Sequence, residues 1–362
     1  MVKITVAMAS YNHADFIRES IESVLSQKNC DFELIIVDDG SQDATADIVR
    51  TYQDARITFI PLSENQGACV ALRKAIEAGQ GEYVAILNSD DAFLPGKLEK
   101  QAALLDTDSK IDAVFGLPQF INQKGDVLQP HQHFYRDLFR QKNRTRHEWL
   151  NHFFYKSNAL CHPTVMLRRT CYENLGYYDP RMAQLPDFDF WVRLALKYNI
   201  HVLEEELIRF RILNHEANAS APTIENIRRA HWEFSYILPH FLKLDSLDEY
   251  LKVFPEDQAF MQTYSHCPTK YLIPYALAQK SLSDKIFAAY ASVYHFFGLQ
   301  ILFNLFKEPE FVEFATSTLK MNLAQCSQIA KYYDIFDLKA AKMPPLYRRG
   351  WNYFKKKLKG KS

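Results

Sequence analysis

The chain has 362 residues, of which 48% are hydrophobic and 24% charged, the balance of an ordinary globular protein with length for one large domain or two. Its formal net charge is zero and its pI about 7.2, which excludes a general electrostatic affinity for nucleic acid. The six cysteines (Cys30, Cys69, Cys161, Cys171, Cys267, Cys326) form no C-x-x-C pair, which argues against a zinc knuckle or a disulfide scaffold and predicts reduced, mostly buried thiols.

The opening Met1-Val2-Lys3-Ile4 runs straight into a strand pattern with no leader-like segment before it, so a cytoplasmic location is the expectation. Lys3 to Ala9 reads as a short buried strand; Phe16, Ile17, Ser20, Ile21, Val24 and Leu25 then recur at helical spacing. A second strand, Phe32 to Val37, ends at Asp38-Asp39-Gly40-Ser41, and Asp43 is a plausible N-cap for a helix over 44–52. A third strand at 57–61, a helix over 67–78 and a fourth strand at 83–87 complete the run. Strands alternating with helices predict βαβ units and a mostly parallel, Rossmann-like α/β sheet, whose ligands bind beyond the carboxyl ends of the strands. The polar clusters fall at those ends: Ser10-Tyr11-Asn12, Asp38-Asp39, and Asn88-Ser89-Asp90-Asp91.

From 110 to about 220 the pattern mixes, with strands near 113–115, 165–167 and 201–203, and from about 224 onward it is almost wholly helical and rich in aromatics. A boundary is expected near 220–240, separating a catalytic domain over 1–225 from a helical C-terminal region over 226–362. Ile286 to Phe306 has no formal charge over 21 residues, which fits a buried core helix, an interfacial or dimer-forming helix, or a transmembrane one. Its interruption by Tyr290, Ser292, His295, Gln300 and Asn304 favours burial in a soluble protein. Aromatic stripes such as Tyr290, Tyr294 and Phe297 or Phe296 and Phe303 read as core, with a homodimer or partner-gripping appendage as the functional alternative. The last fifteen residues carry Arg348, Arg349, Lys355, Lys356, Lys357, Lys359 and Lys361 with Trp351, Tyr353 and Phe354 and no acid. That tail suits peripheral contact with an anionic membrane, such as the inner face of the cell membrane, as well as it suits a solvated end.

Asn88-Ser89-Asp90-Asp91 alone reads equally as a helix N-cap and as a site where adjacent acids await a cation. Its company decides between them. Ala9-Ser10-Tyr11-Asn12, Val37-Asp38-Asp39-Gly40-Ser41, Asn65-x-Gly67 and Gly81-Glu82-Tyr83 leading to Ser89-Asp90-Asp91 resemble, in order and spacing, the inverting family 2 glycosyltransferases of GT-A fold, over residues 2 to about 220.

The resemblance implies a nucleotide-sugar donor, in the first instance a UDP-sugar, a divalent cation (Mn²⁺ or Mg²⁺), and a glycan or lipid-linked acceptor in bacterial surface-polysaccharide synthesis. Such a reaction needs positive charge against the leaving diphosphate and a base for the acceptor hydroxyl. By the same resemblance Ser10 and Tyr11 border the nucleoside, Tyr11 packing on the base, and Asp39 bonds the base with Asp38 nearby. Ser89-Asp90 falls at the family's D-x-D motif, making Asp90 the metal ligand with Asp91 beside it; Asn88 stands at the first acid's place, uncharged but able to bond a ribose hydroxyl. Arg73 comes one position later than the Arg of many relatives and either supplies a cation to the donor or leaves none needed there.

Leu185-Pro186-Asp187-Phe188-Asp189-Phe190-Trp191-Val192-Arg193 resembles the family's E-D-x-D-x-W-x-R segment, with Pro186 in place of Glu. The match makes Asp187 the general base, a role compatible with a helix N-cap; Asp189 is expected to point elsewhere and Trp191 to be core. His162 in His162-Pro163-Thr164 lies in a segment that lines the acceptor side in relatives, and is either structural or in contact with diphosphate or acceptor. Phe210-Arg211 and Asn218-Ala219-Ser220 resemble the segment that closes the domain, where His215 comes later than the family's His and is expected to be no ligand. His131-Gln132-His133 lacks a supporting acid or Cys and reads as a solvated loop. No Gly-rich dinucleotide or P-loop fingerprint is present. Two rivals stand beside the transferase: a binding module that kept the fold and lost chemistry, for which Asn88 and Pro186 speak, and a sugar-1-phosphate nucleotidyltransferase, which needs a Gly-rich loop that Ser10-Tyr11-Asn12-His13 is not.

Overall fold

The computed structural model describes residues 2–129, 135–213 and 223–322, with Ala324, Gln328 and Ile329 beyond them. The chain divides into two compact units, Met1–Phe153 with Ser157–Glu233, and Phe154–Lys156 with Phe234–Ser362.

The first unit is built on eight strands: β1 (Ile4–Ser10), β2 (Phe32–Asp38), β3 (Ile57–Pro61), β4 (Tyr83–Asn88), β5 (Ala92–Phe93), β6 (Ala113–Ile121), β7 (Met166–Arg168) and β8 (Ile200–Arg211). They form one mixed sheet in the order β3-β2-β1-β4-β7-β6-β8-β5. The β1–β4 half is wholly parallel, as expected. β7 runs antiparallel to both β4 and β6, and β5 antiparallel to β8. Strands β1 and β2 are near-continuous apolar runs because helices cover both their faces; Ile4, Val6, Met8, Leu34 and Ile36 are fully buried. On one face they pack with α1 (Ile17–Leu25), through Ile17, Ile21 and Val24, and with Leu98 and Leu105 of α4 (Lys97–Thr107). α2 (Thr45–Arg50) and α3 (Ala68–Ala78) complete the crossovers.

Register places the chemistry. Ser10 pairs with Asp38 across β1 and β2, and Ala9 pairs with Asn88 across β1 and β4, so the three polar clusters emerge side by side at one carboxyl edge. The turn beyond Asp39 needs Gly40: its φ is +73°, and a Cβ there would lie 2.7 Å from the Glu64 carbonyl carbon.

Helices α5 (Tyr135–Phe139), α6 (Arg146–Lys156), α7 (Arg169–Leu175) and α8 (Pro186–Ala195) fill the region of mixed pattern, and α9 (Ile224–Ile237) follows β8. α6 opens on a capping box between Thr145 and Glu148. The second unit is helical, with α10 (Leu247–Val253), α11 (Gln258–Thr263), α12 (Thr269–Ser281), α13 (Ala291–Leu305) and α14 (Pro309–Ser317). The uncharged stretch from Ile286 is broken by a 3-10 turn at Ala288–Tyr290, and α13 buries Tyr294, Phe297 and Leu302 while Phe296 and Phe303 face outward. No helix among the described residues is long and apolar enough to cross a membrane. The five described cysteines are free thiols. His131, His133, His215, Asn218 to Ser220, Cys326 and the basic tail lie outside the described residues.

Candidate active site

Two carboxylates at the carboxyl end of β2 organise the first part of the edge. Asp38 accepts from the Ser10 hydroxyl at 3.0 Å, the Ser41 hydroxyl at 2.6 Å and the Ser41 N–H at 3.0 Å. Asp39 accepts from the backbone N–H of Gln66 at 2.7 Å and of Gly67 at 2.8 Å, which ties the start of α3 to the end of β2. Both acids are buried, and these bonds replace the water they have lost. Asn12, at a φ of +52°, donates its N–H to Ser41 and accepts the Gln42 N–H, holding the loop after β1 against the loop after β2. Tyr11 projects from that clamped loop and stays 41% exposed, an aromatic face available for stacking.

Arg73 does not join this cluster. Its guanidinium pairs with Glu77 at 2.8 Å and lies over the Tyr177 ring, 5.0 Å from the centroid.

The segment after β4 separates its two acids. Asp91 is buried, and its carboxylate accepts the Arg211 N–H at 2.8 Å and the Asn88 amide at 3.0 Å. Burial first, and the neighbouring Asp90 charge second, raise its carboxyl well above the usual range. An acid enclosed in this way fits the fold better than a cation, so the expectation of Asp91 as a second metal ligand gives way to a structural role. The Asn88 side chain serves the same lock. The N-cap alternative fails as well: the chain after Asp91 enters β5, and α4 begins at Lys97 behind Gly96.

Asp90 differs. It is partly exposed, and among the described residues no other residue hydrogen-bonds or ion-pairs with its carboxylate. Burial raises its carboxyl, and the nearby His13 opposes that rise. His13, on the loop after β1, shares a 2.7 Å hydrogen bond between its Nδ1 and the Ser89 hydroxyl. Ser20 of α1 donates to the carbonyl oxygens of both Ser89 and Asp91, and the Arg211 Nε donates to the Asp90 carbonyl at 2.8 Å. Arg211 itself is buried, pairs with Glu19 and lies 4.9 Å from the Phe16 centroid.

One carboxylate with the phosphates of a bound substrate is a sufficient protein contribution for Mg²⁺ or a similar hard cation. The unpaired Asp90 fits that requirement. Among the described residues no group of three or more His, Cys, Asp or Glu side chains could hold a metal by itself.

The third component is Asp187, in the first turn of α8, whose first residue is Pro186. Its carboxylate accepts the Asn158 amide at 2.9 Å and the Phe188 N–H at 2.8 Å. Burial pushes it up to about 6, against those two bonds. Cys161 links the components, because its thiol is raised by burial and then by the charges of Asp91 and Asp187. Asp189 points away, paired at 2.8 Å with Arg193, which also donates to the carbonyls of Leu175 and Tyr177. Trp191 is core, edge-on to Phe115 at 4.8 Å. His162 is structural in this arrangement: it bonds the Tyr178 hydroxyl at 3.1 Å, and burial pushes it down to about 4, so it is neutral.

Sequence reasoning passed over His13, Glu19, Asn158 and Glu233, and used Arg211 only as part of a closing segment. For His13 the signal was adjacency to Ser10-Tyr11-Asn12; for the others only the fold brings distant chain segments together.

A Rossmann-like sheet with two buried acids at the β2 edge, a partly exposed acid at the β4 edge and a half-buried carboxylate of raised pKa is an arrangement that suits nucleotide-sugar transfer. The profile of glycosyl transferase family 2 matches residues 5–175. An uncharacterised glycosyltransferase of Methanocaldococcus jannaschii is 34% identical over 218 residues, covering 59% of this chain and 72% of that protein. TuaG of Bacillus subtilis, provisionally named a teichuronic acid biosynthesis glycosyltransferase, is 34% identical over 221 residues, 60% of this chain and 82% of its own. The chain belongs to glycosyl transferase family 2. Its fold is shared with Staphylococcus aureus TarS 1-349, solved in complex with UDP-GlcNAc, at a TM-score of 0.58 and 18% identity over 84% of this chain and 89% of that one.

Proposed function

We propose that this transferase moves a sugar, with inversion, from a UDP-sugar to a hydroxyl of a glycan or lipid-linked acceptor in surface-polysaccharide synthesis, with Asp187 as base and Asp90 as cation ligand. The observation that carries the reading is Asp187, a half-buried carboxylate held by Asn158 and raised to about 6. That value leaves it ionised near pH 7 and a stronger base than an ordinary aspartate.

The acceptor hydroxyl attacks the sugar's anomeric carbon from the face opposite the diphosphate. The new C–O bond forms as the bond to the β-phosphate oxygen breaks; the hydroxyl proton goes to Asp187, and the nucleoside diphosphate departs with the bonding pair. Asn158 keeps one carboxylate oxygen oriented throughout. Tyr11 and Asp39 receive the base, and Asp90 would hold Mn²⁺ or Mg²⁺. Such a cation, when bound, neutralises charge developing on the leaving diphosphate. The surface-glycan assignment is supported by the name of TuaG and the donor class by the UDP-GlcNAc held in TarS.

The test is Asp187→Asn. UDP binding by calorimetry is expected to match the wild type while transfer and donor hydrolysis fall about 10³-fold or more, the scale of losing a positioned base. Lost UDP binding, or activity that persists, would remove Asp187 from the role.

A further inference from the structure

We propose that Glu233 is the positioning residue for Asp187, holding the loop that starts α8 and placing a second negative charge behind the base. The inference rests on the reading of Asp187 as the base and extends it to a side chain on α9.

The Glu233 side chain is fully buried. One carboxylate oxygen accepts the Ala183 N–H at 2.8 Å; the other accepts the N–H of Gln184 at 2.8 Å and of Leu185 at 2.7 Å. Three successive backbone donors converging on one acid make an anion cradle. The acid completes it, for among the described residues no lysine, arginine or histidine pairs with Glu233. The cradle is the segment immediately before the base: Leu185 is the N-cap of α8, Pro186 its first residue and Asp187 its second. Gripping Leu185 therefore sets where the helix begins and where the Asp187 carboxylate stands.

The charge matters as well as the grip. Ala183-Gln184-Leu185-Pro186 brings no charge of its own to the loop. Glu233 supplies a carboxylate to it from a helix far along the chain. The groups facing Asp187 from the elements around it are Cys69 on α3, Cys161 before the His162 turn, Tyr178 between α7 and α8, Asn158 after α6, and Glu233. Burial pushes Cys69 up to about 12 and raises Cys161 and Tyr178, so all three are neutral near pH 7. Burial is the main cause of the raised Asp187 carboxyl, and the like charge of Glu233 adds a smaller rise to it. Removing that charge lowers the Asp187 midpoint; shortening the side chain while keeping the charge moves the loop and leaves most of the effect.

The experiment titrates aspartate carboxyls by ¹³C NMR in the full chain, with D187N identifying the Asp187 signal. The expected midpoint lies near 6 in the wild type. In E233Q it falls, and in E233D it stays close to the wild type. An unmoved midpoint in a folded E233Q, judged by circular dichroism and UDP affinity, overturns the proposal. Should E233Q fail to fold, E233D decides: a retained midpoint with slower turnover supports the role, and a midpoint lowered as far as that of an ordinary aspartate overturns it. Persistent sugar transfer in D187N would instead refute Asp187 as base, whatever the Glu233 variants show.

Discussion

Arg211 donates its backbone N–H to the Asp91 carboxylate at 2.8 Å and its side-chain Nε to the Asp90 carbonyl at 2.8 Å, so one buried residue at the end of β8 fixes both acids of the edge. Its guanidinium also pairs with Glu19 and donates to the carbonyls of Asn122 and Gln123. Arg211→Ala removes these side-chain bonds and the buried guanidinium beside Phe16, while Glu19 keeps Arg209, and is expected to destabilise the protein by about 1–3 kcal/mol, read from urea denaturation. Asp90→Ala removes an acid that repels Asp91 and is expected to leave the midpoint unchanged or higher. A large stability loss in Asp90→Ala would contradict the division between a structural Asp91 and a free Asp90.

The raised Asp187 carboxyl gives two pH signatures. Activity at limiting donor should rise through about pH 6 as the base ionises. Asn158 donates to the ionised form and so lowers the carboxyl. Asn158→Ala is therefore expected to move the acidic limb upward and reduce the plateau about tenfold, on the scale of one charge-assisted hydrogen bond. A limb that moves downward would contradict the assignment.

Stability follows the opposite sense from a salt-bridged acid. The folded carboxyl lies near 6 against 3.8 for the free group, so the native state binds the extra proton between those values and loses stability as pH rises through them. Asp187→Asn is expected to stabilise the fold at pH 8 by on the order of 2 kcal/mol, and to lose that advantage below about pH 4. Thermal melts across that range provide the check, and an equal shift at every pH would point to packing instead.

His13 supplies the Ser89 hydroxyl with its partner and lies close enough to Asp90 to counter its burial. His13→Ala removes the partner of the Ser89 hydroxyl and is expected to weaken Mn²⁺-dependent donor binding about tenfold, on the scale of one hydrogen bond, measured by calorimetry. Unchanged binding would confine His13 to the fold.

The tail is a separate matter. Removing residues 346–362 should reduce co-sedimentation with anionic liposomes, since each basic residue near the lipid contributes about 1 kcal/mol. Equal sedimentation of the truncated chain would end the membrane reading.

The parallel half of the sheet was legible because β1, β2 and β4 are short apolar runs ending in polar clusters, a pattern that follows from burial on both faces. The same periodicity could not show β5, a two-residue strand whose existence depends on β8. Motif order put Ser10, Asp38 and Asp39 at the sheet edge, where register has them, but nothing local distinguishes Asp90 from Asp91. Their difference comes from Arg211, 120 residues away from Asp91 along the chain. Arg73 was placed by analogy of position, whereas helix geometry put its partner, Glu77, four residues on. Glu233 gave no signal at all, because an acid in a helical pattern ordinarily reads as surface.

Cation-dependent sugar transfer through Asp90 is read from hydrolysis of UDP-, GDP-, dTDP- and CMP-sugars with Mn²⁺, Mg²⁺ or a chelator, in the wild type and in Asp90→Ala. The expected result is turnover of a UDP-sugar that disappears both with chelator and in the variant. Turnover that survives both changes would contradict it.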